Sequence, residues 1–153
     1  MILHDANILV YDSKTDAPQH RASRAIVDAS IQRLVPGVLV PQVLLEFYSV
    51  VTNGRRVPLP LSPTDAWSTI ETLRAEMPVF DLQPAAIPQL SALVAARRPI
   101  GRTIFDLFLV AQMRTHGIGQ ICTYTTADFS GIPGIEPLTP EQTLVRYGIP
   151  FTP

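Results

Sequence analysis

The chain has 153 residues, of which 46% are hydrophobic and 16% charged, and its formal net charge is -1 at pH 7. A chain of this length is typical of one domain that buries about 70% of its unfolded surface, so a single domain over 1–153 is expected to form its core without disulfides or structural metal. The composition excludes a fibrous or disordered chain, and the charge balance does not indicate a strongly basic nucleic-acid-binding protein.

Three further features bear on location and on binding. The single cysteine, Cys122, lies in an apolar stretch, which predicts a core residue of a reduced, cytoplasmic protein. The amino-terminus lacks the pattern of a signal peptide, and no apolar run is long enough to span a membrane, so no membrane association is expected. Of the twelve basic residues only Lys14 is a lysine, so contacts with phosphate groups would come mainly from arginine.

The first eleven residues predict the end of a buried strand. Two short apolar runs, 1–3 and 8–10, flank the polar segment 4–7, which is too short for an ordinary surface loop. In an open α/β sheet such a strand end faces the ligand-binding crevice, so Asp5 is a candidate functional carboxylate. The alternative is that Asp5, helped by Asn7, forms an Asx turn or a helix cap.

The remaining elements are predicted in chain order from apolar periodicity and from proline, glycine and capping residues. Helices are expected at about 19–34, 41–54, from 62, at 84–98, at 103–117 and from 139 to about 147, with strands at 38–40, 77–82, 119–124 and 135–138. Leu34 and Ile87 are expected on the apolar faces of their helices. Short apolar strands that alternate with helices predict an α/β fold with a mostly parallel sheet.

The helix predicted from Pro41 carries a second candidate acid. Glu46 lies at the margin of the apolar face, on the same side as Gln42. The alternative is an ordinary solvated glutamate. However, this helix has no lysine or arginine to pair with Glu46, and it follows the second strand, so its first turns are expected near Asp5.

The most apolar helix and the strand after it supply the other two acids. Asp106 lies in the helix, where a charge is costly unless it is paired, hydrogen-bonded or metal-bound. In the alternative interpretation Thr103 caps this helix, Asp106 completes the capping box, and Arg102 forms an ion pair. Asp128 follows a predicted strand, as Asp5 does, and its alternative is an Asx turn before Gly131.

The four acids are expected to meet near one edge of the parallel sheet. Two carboxylates about 4 Å apart repel each other by roughly 4 kcal/mol at an effective dielectric constant of about 20. Such a cluster requires protonation or a divalent cation, and hard oxygen ligands favour Mg²⁺ or Mn²⁺. One cysteine and three scattered histidines give no spacing typical of a zinc site.

These segments give the chain a resemblance to PIN-domain proteins, and specifically to VapC-type toxin ribonucleases of bacterial toxin–antitoxin modules. The matching motifs, in order, are D-x-N-x-L-x-Y at 5–11, LLEFYSVVTN around Glu46, FDLFLVAQM around Asp106 and T-T-x-D-F-x-x-I-P-G at 125–134. The resemblance covers almost the whole chain. It implies a three-layer sandwich in which helices flank a central, mostly parallel twisted sheet.

The resemblance also implies the roles of individual residues. The metal-binding and catalytic acids carry over onto Asp5, Glu46, Asp106 and Asp128. Asn7 matches a polar position that helps to orient the first acid. Many family members carry Thr-Asn just ahead of the final acid, where this chain has Tyr124-Thr125, so Thr125 or Thr126 is expected to supply the hydroxyl group instead.

The activity that the resemblance implies is Mg²⁺- or Mn²⁺-dependent hydrolysis of an RNA phosphodiester bond. In that reaction the cation polarises the scissile phosphate and lowers the pKa of an attacking water, while the carboxylates hold the metal and one accepts a proton. The resemblance further implies a homodimer and inhibition by a cognate antitoxin protein in the active-site groove. Candidates for contact with the RNA backbone are Arg55, Arg56, Arg97, Arg98 and Arg102.

Other classes of protein fit the sequence less well. A phosphatase with Asp5 as its nucleophile would need a second acid at position 7, where this chain has asparagine, and a well-placed lysine. A receiver-type phosphoacceptor needs the same lysine. The remaining alternative is a catalytically silent PIN-like module that binds RNA or a protein. The presence of all four acids favours the enzyme, and metal-dependent cleavage would distinguish the two.

Overall fold

The computed structural model describes residues 1–151, which form eight helices and four strands. The strands are β1 (Ile2–His4), β2 (Gly37–Val38), β3 (Gln120–Cys122) and β4 (Glu136–Leu138). The helices are α1 (Ala6–Asp12), α2 (His20–Ile31), α3 (Pro41–Val51), α4 (Pro63–Glu76), α5 (Ala86–Arg97), α6 (Thr103–Thr115), α7 (Thr126–Phe129) and α8 (Pro140–Arg146). The prediction of one domain over 1–153 includes 152–153, which lie outside the described residues.

The four strands form one parallel sheet in the order β2-β1-β3-β4. Successive side chains of a strand point to opposite faces of the sheet. All three residues of β1 are buried, so both faces of the sheet are covered at this strand. The predicted α/β fold, with a central parallel sheet flanked by helices, is confirmed.

The strand order defines where the site lies. The chain passes from β1 to β2 on one side and later returns to β3 on the other side of β1. The carboxyl ends of β1 and β3 therefore flank the point where the sheet order reverses, which is the usual position of the ligand crevice in open α/β sheets. The Asp5 N–H donates to the Cys122 carbonyl at 3.0 Å and holds these two ends together.

A buried polar pair fixes α2 against the sheet. His4 Nε2 lies 2.8 Å from Ser30 Oγ, and burial lowers the pKa of His4 to about 4, so the imidazole is neutral at pH 7. A Cβ atom at Gly37 would lie 2.3 Å from Ser30 Oγ and 2.4 Å from His4 Nε2. The close packing of α2, β1 and β2 therefore requires glycine at position 37.

Two short segments differ from their predicted conformation. The apolar run 8–10 lies in α1, which the sequence analysis did not predict, because so short an apolar run fits a strand or a buried helix equally well. The prediction of a strand at 77–82 is wrong. Among residues 1–151 that segment makes only an isolated parallel bridge, between Val79 and Leu39. Pro78, which has no N–H to donate, interrupts any longer ladder.

Two apolar side chains predicted on inner helix faces lie outside the core. Leu34 is 55% exposed because α2 ends at Ile31, before the helical period can bring Leu34 back to the buried face. Ile87 is 60% exposed because Ala86, at the start of α5, faces the core and turns its neighbour outward. No helix within residues 1–151 combines the length and the apolar character needed to cross a membrane.

Candidate active site

The structure brings all four predicted acids to the wall of one cavity of about 530 Å³. Asp5 follows β1, Glu46 lies in α3, Asp106 lies in the first turn of α6, and Asp128 lies in α7. The parallel sheet accounts for the approach of Asp5 and Asp128, because the segments after β1 and β3 both leave the sheet at its carboxyl edge.

Asp5 is held by two neighbouring side chains. Asn7 Nδ2 and Thr123 Oγ1 each donate a hydrogen bond of 2.7 Å to Asp5 Oδ2, and Asn7 Nδ2 also donates to Thr123 Oγ1 at 3.0 Å. Because Thr123 directly follows β3, this triangle joins the carboxyl ends of the two central strands. Asp5 also occupies the cap position of α1, as the alternative interpretation proposed, but its side chain makes no capping hydrogen bond.

Thr123, which the sequence analysis did not single out, donates its hydroxyl group to Asp5, whereas Thr125 or Thr126 was expected to supply a hydroxyl group beside the final acid, Asp128. Thr125 lines the cavity, and its Oγ1 lies 3.1 Å from Thr123 Oγ1, so it is one hydrogen bond removed from Asp5. Thr126 begins α7 and is not among the residues that line this cavity. Its carbonyl accepts a hydrogen bond from Ser130 Oγ, and within residues 1–151 its hydroxyl group contacts none of the four acids. Thr123 lies inside the strand predicted at 119–124, whereas β3 ends at Cys122, so the sequence analysis did not place this hydroxyl group at the strand end.

Glu46 accepts a hydrogen bond from an amide network that joins α3 to α6. Gln42 Nε2 donates to Glu46 Oε1 at 2.7 Å and to the Phe105 carbonyl at 2.9 Å. Gln112 Nε2 donates to Gln42 Oε1 at 2.7 Å, and Gln112 is buried. The helical pattern placed Gln42 beside Glu46, whereas nothing in the sequence indicated that Gln112 would reach them.

Asp106 does not have the structural role that the alternative interpretation gave it. Thr103 Oγ1 donates to the Ile100 carbonyl at 2.8 Å and accepts from the Ile100 N–H at 3.1 Å. The prediction of a capping box formed by Thr103 and Asp106 is therefore wrong. Arg102 occupies the cap position, and within residues 1–151 its guanidinium forms no salt bridge with Asp106. The Asp106 carboxylate is therefore free to act within the cavity.

Asp128 is positioned by a short helix and the loop that follows it. The buried Phe129 anchors α7 in the core. The Arg97 guanidinium donates to the Gly131 carbonyl, and Arg114 Nη2 donates to the Pro133 carbonyl at 2.9 Å. Helices α5 and α6 thus hold the loop that follows Asp128.

Burial and mutual repulsion make two of the acids unusually weak. Burial raises the pKa of Asp5 to about 6, with a smaller contribution from the Glu46 charge, although the Thr123 hydrogen bond opposes the shift. The pKa of Asp106 is also raised to about 6, first by burial and then by the charges of Asp128, Asp5 and Glu46, while Arg102 lowers it. The surrounding protein therefore stabilises the charged forms of Asp5 and Asp106 poorly.

The candidate cationic residues lie on two sides of the acids. Lys14, Arg56 and Arg102 line the main cavity. A second cavity of about 400 Å³ shares Asp106 and Asp128 with the first and is lined by Arg97 and Arg98. The two acids thus face both cavities, and basic side chains are available in each. Arg55 lines neither cavity.

Comparison with known proteins agrees with this geometry. The family model described as "PIN domain" matches residues 2–132. Ribonuclease VapC43 of Mycobacterium tuberculosis is 32% identical over 133 residues, which cover 84% of this chain and 86% of that protein. Ribonuclease VapC24 of the same species is 29% identical over 131 residues, which cover 85% of this chain and 90% of that protein.

Solved structures share the fold at lower sequence identity. M. tuberculosis VapC20, described as a sarcin-ricin loop cleaving toxin, superposes with a TM-score of 0.65 at 15% identity, over 90% of this chain and 100% of that chain. VapBC2 from Rickettsia felis, bound to a DNA fragment from its promoter, gives a TM-score of 0.67 at 14% identity, over 91% and 98% of the two chains. The family-model match and the similarity to VapC43 together show that the chain belongs to the PIN-domain family, and within it to the VapC group.

Proposed function

We propose that this protein is a divalent-metal-dependent endoribonuclease and the toxin component of a toxin–antitoxin module. The observation that carries the proposal is the convergence of four carboxylates on one cavity, where no cation among residues 1–151 forms a salt bridge with any of them. The ribonuclease names of the VapC43 and VapC24 relatives support the reaction class.

The donor set fits Mg²⁺ or Mn²⁺ better than a softer metal. The four proposed ligands, Asp5, Glu46, Asp106 and Asp128, offer only oxygen atoms, which these ions prefer. Within residues 1–151 no three His, Cys, Asp or Glu side chains approach closely enough to ligate one ion together. Mg²⁺ commonly binds through one or two carboxylates and keeps several waters, so part of this set would ligate the ion directly and the rest would contact it through its waters.

The protein's own residues would hold and orient the reacting groups. Asn7 and Thr123 fix the Asp5 carboxylate through the two hydrogen bonds to its Oδ2 atom. Lys14, Arg56 and Arg102 would bind the phosphates of an RNA strand in the main cavity. When bound, a divalent cation supplies Lewis-acid chemistry that polarises the scissile phosphate and favours ionisation of the attacking water. A carboxylate that is not a direct ligand can accept the proton of that water.

The test is cleavage of a panel of structured and single-stranded RNAs by the purified protein in Mg²⁺, Mn²⁺ or EDTA. We expect cleavage of at least one RNA in Mg²⁺ or Mn²⁺ and none in EDTA, because the clustered carboxylates need a cation to bind a phosphate anion. Cleavage that persists in EDTA would contradict metal dependence. A protein that binds RNA but cuts none of the panel, and that Mg²⁺ does not stabilise thermally, would favour the silent binding module.

The proposed partners are a cognate antitoxin protein and a second copy of the chain. Solved structures of similar fold that carry VapBC in their names support the antitoxin.

The proposed dimer is supported by an apolar surface pocket of about 380 Å³, whose lining includes Leu45, Leu82 and Phe105. These three side chains are 61%, 51% and 52% exposed, and an apolar patch of this kind is a common interaction site. Sedimentation velocity would detect the dimer, and a monomer at micromolar concentration would contradict it.

Two further proposals concern the extent of the domain and its location. We propose that 1–153 is a single domain, since the family model and the apolar core both extend over most of the chain. We also propose that the protein acts in the cytoplasm. An RNA substrate supports this location, and so does the single cysteine, which is buried and whose thiol pKa burial raises to about 12.

A further inference from the structure

The carboxylate of Glu46 depends on one neighbouring side chain. Within residues 1–151 the Gln42 amide is the only hydrogen-bond donor that reaches it, at 2.7 Å, and no lysine, arginine or histidine forms a salt bridge with it. Gln42 lies one helical turn before Glu46 in α3, so the two side chains lie on the same side of the helix. A hydrogen bond from a neutral donor to a charged acceptor is stronger than one between neutral groups.

The orientation of the Gln42 amide is fixed from both ends. Its nitrogen faces two acceptors, Glu46 Oε1 and the Phe105 carbonyl, and its oxygen accepts from Gln112 Nε2. If the amide were turned over, its oxygen would face a carboxylate and a carbonyl, neither of which has a proton to donate. The orientation in which both the nitrogen and the oxygen of the Gln42 amide have hydrogen-bond partners is therefore the one in which the amide donates to Glu46.

The same amide joins the helices that carry two of the site acids. Phe105, whose carbonyl accepts from Gln42, directly precedes Asp106 in α6. Gln112 lies about two helical turns further along α6 and is 2% exposed, so a buried side chain secures the other end of the amide. Through Gln42, the position of the Glu46 carboxylate in α3 is tied to the backbone of α6 next to Asp106.

We propose that Gln42, held in place by Gln112, is a positioning residue that fixes the Glu46 carboxylate for the divalent-cation site. Gln42 does for Glu46 what Asn7 does for Asp5: a side-chain amide donates a 2.7 Å hydrogen bond to the carboxylate. This inference rests on the proposed metal-dependent function. Partners that orient the groups around a metal typically contribute about 10- to 100-fold to metal affinity.

The test is a double-mutant cycle on Mn²⁺ affinity, measured by electron paramagnetic resonance of free Mn²⁺ without RNA. Gln42→Leu keeps a similar side-chain volume but removes the donor. We expect it to weaken Mn²⁺ binding by about 10-fold in the wild-type background and by less than about 2-fold in a Glu46→Gln background, because its effect passes through Glu46. Gln112→Leu should weaken binding in the same direction by a smaller factor.

The control is Gln89→Leu, which removes an exposed glutamine of α5 that lies outside the acid cavity and should leave Mn²⁺ affinity unchanged. Equal losses from Gln42→Leu in both backgrounds, or no loss in the wild-type background, would overturn the positioning role. Asp5→Asn is measured in parallel. If Asp5→Asn abolishes Mn²⁺ binding while Gln42→Leu has no effect, only this inference fails. If the wild type binds no Mn²⁺, the proposed function fails with it.

Discussion

Replacing Asp5 or Asp106 by asparagine is expected to lower the rate of RNA cleavage by about 10³-fold while the protein stays folded. Asparagine keeps the shape of the side chain but removes the negative charge that would bind a cation and act on the reacting phosphate. Asp5→Asn can also keep its amide oxygen where Asp5 Oδ2 accepts from Asn7 and Thr123. The measurement is single-turnover cleavage of one RNA, with circular dichroism and thermal unfolding to confirm the fold.

Asp12→Asn is the matched control for these two substitutions. Burial raises the pKa of Asp12 as it does those of Asp5 and Asp106, but Asp12 lies at the end of α1, outside the main cavity, with Arg24 3.7 Å away. This variant should cleave RNA at close to the wild-type rate. If all three variants retain wild-type activity, the cleavage does not use the four-acid cavity and the assignment is wrong.

The metal-free wild type should lose stability relative to Asp5→Asn as the pH rises. Burial raises the pKa of Asp5 in the folded protein to about 6, from an ordinary value of 3.8. The folded state therefore binds this proton more tightly than the unfolded state does. The resulting stabilisation is fully present below about pH 4 and is lost as the pH rises through about 6. Asparagine does not titrate, so its variant avoids this loss.

Urea unfolding in EDTA between pH 4 and 7.5 measures the effect. The difference in unfolding free energy between Asp5→Asn and the wild type should grow by about 2 kcal/mol across this range, in favour of the variant. Asp106→Asn should show the same direction with a smaller change, because solvent screens its half-buried carboxyl. Saturating Mg²⁺ should stabilise the wild type at pH 7.5. Parallel curves for the wild type and Asp5→Asn would contradict the account.

The positions of the acids could be predicted because they depend on chain order and on the sheet. Apolar strands alternating with helices implied parallel pairing, and parallel strands end at a common edge, so Asp5 and Asp128 were expected near each other. Glu46 could be added because its helix follows the second strand. These steps need only periodicity and topology, both of which are present in the sequence. Asp106 follows the helix α5 and not a strand, so its place in the site was inferred from the cost of its charge in an apolar helix and from the family resemblance.

Two supporting side chains, Asn7 and Gln42, were expected beside their acids because they are close in sequence. The long-range supporting contacts could not be predicted in the same way: Thr123 and Asp5 are separated by 118 residues, and Gln112 and Gln42 by 70. Such contacts depend on the depth and rotation of each element, which periodicity does not specify. The short helices α1 and α7 were not predicted, for a related reason. They have only seven and four residues, which is too few to show a clear helical periodicity.

Anomalous diffraction from crystals of the protein would locate Mn²⁺ and so test whether the four acids form a cation site. We expect an anomalous peak inside the main cavity, beside the carboxylates that line it, in wild-type crystals and not in Asp5→Asn crystals. A cavity without a peak at an Mn²⁺ concentration that supports RNA cleavage would overturn this assignment, as would a peak that lies only elsewhere on the protein.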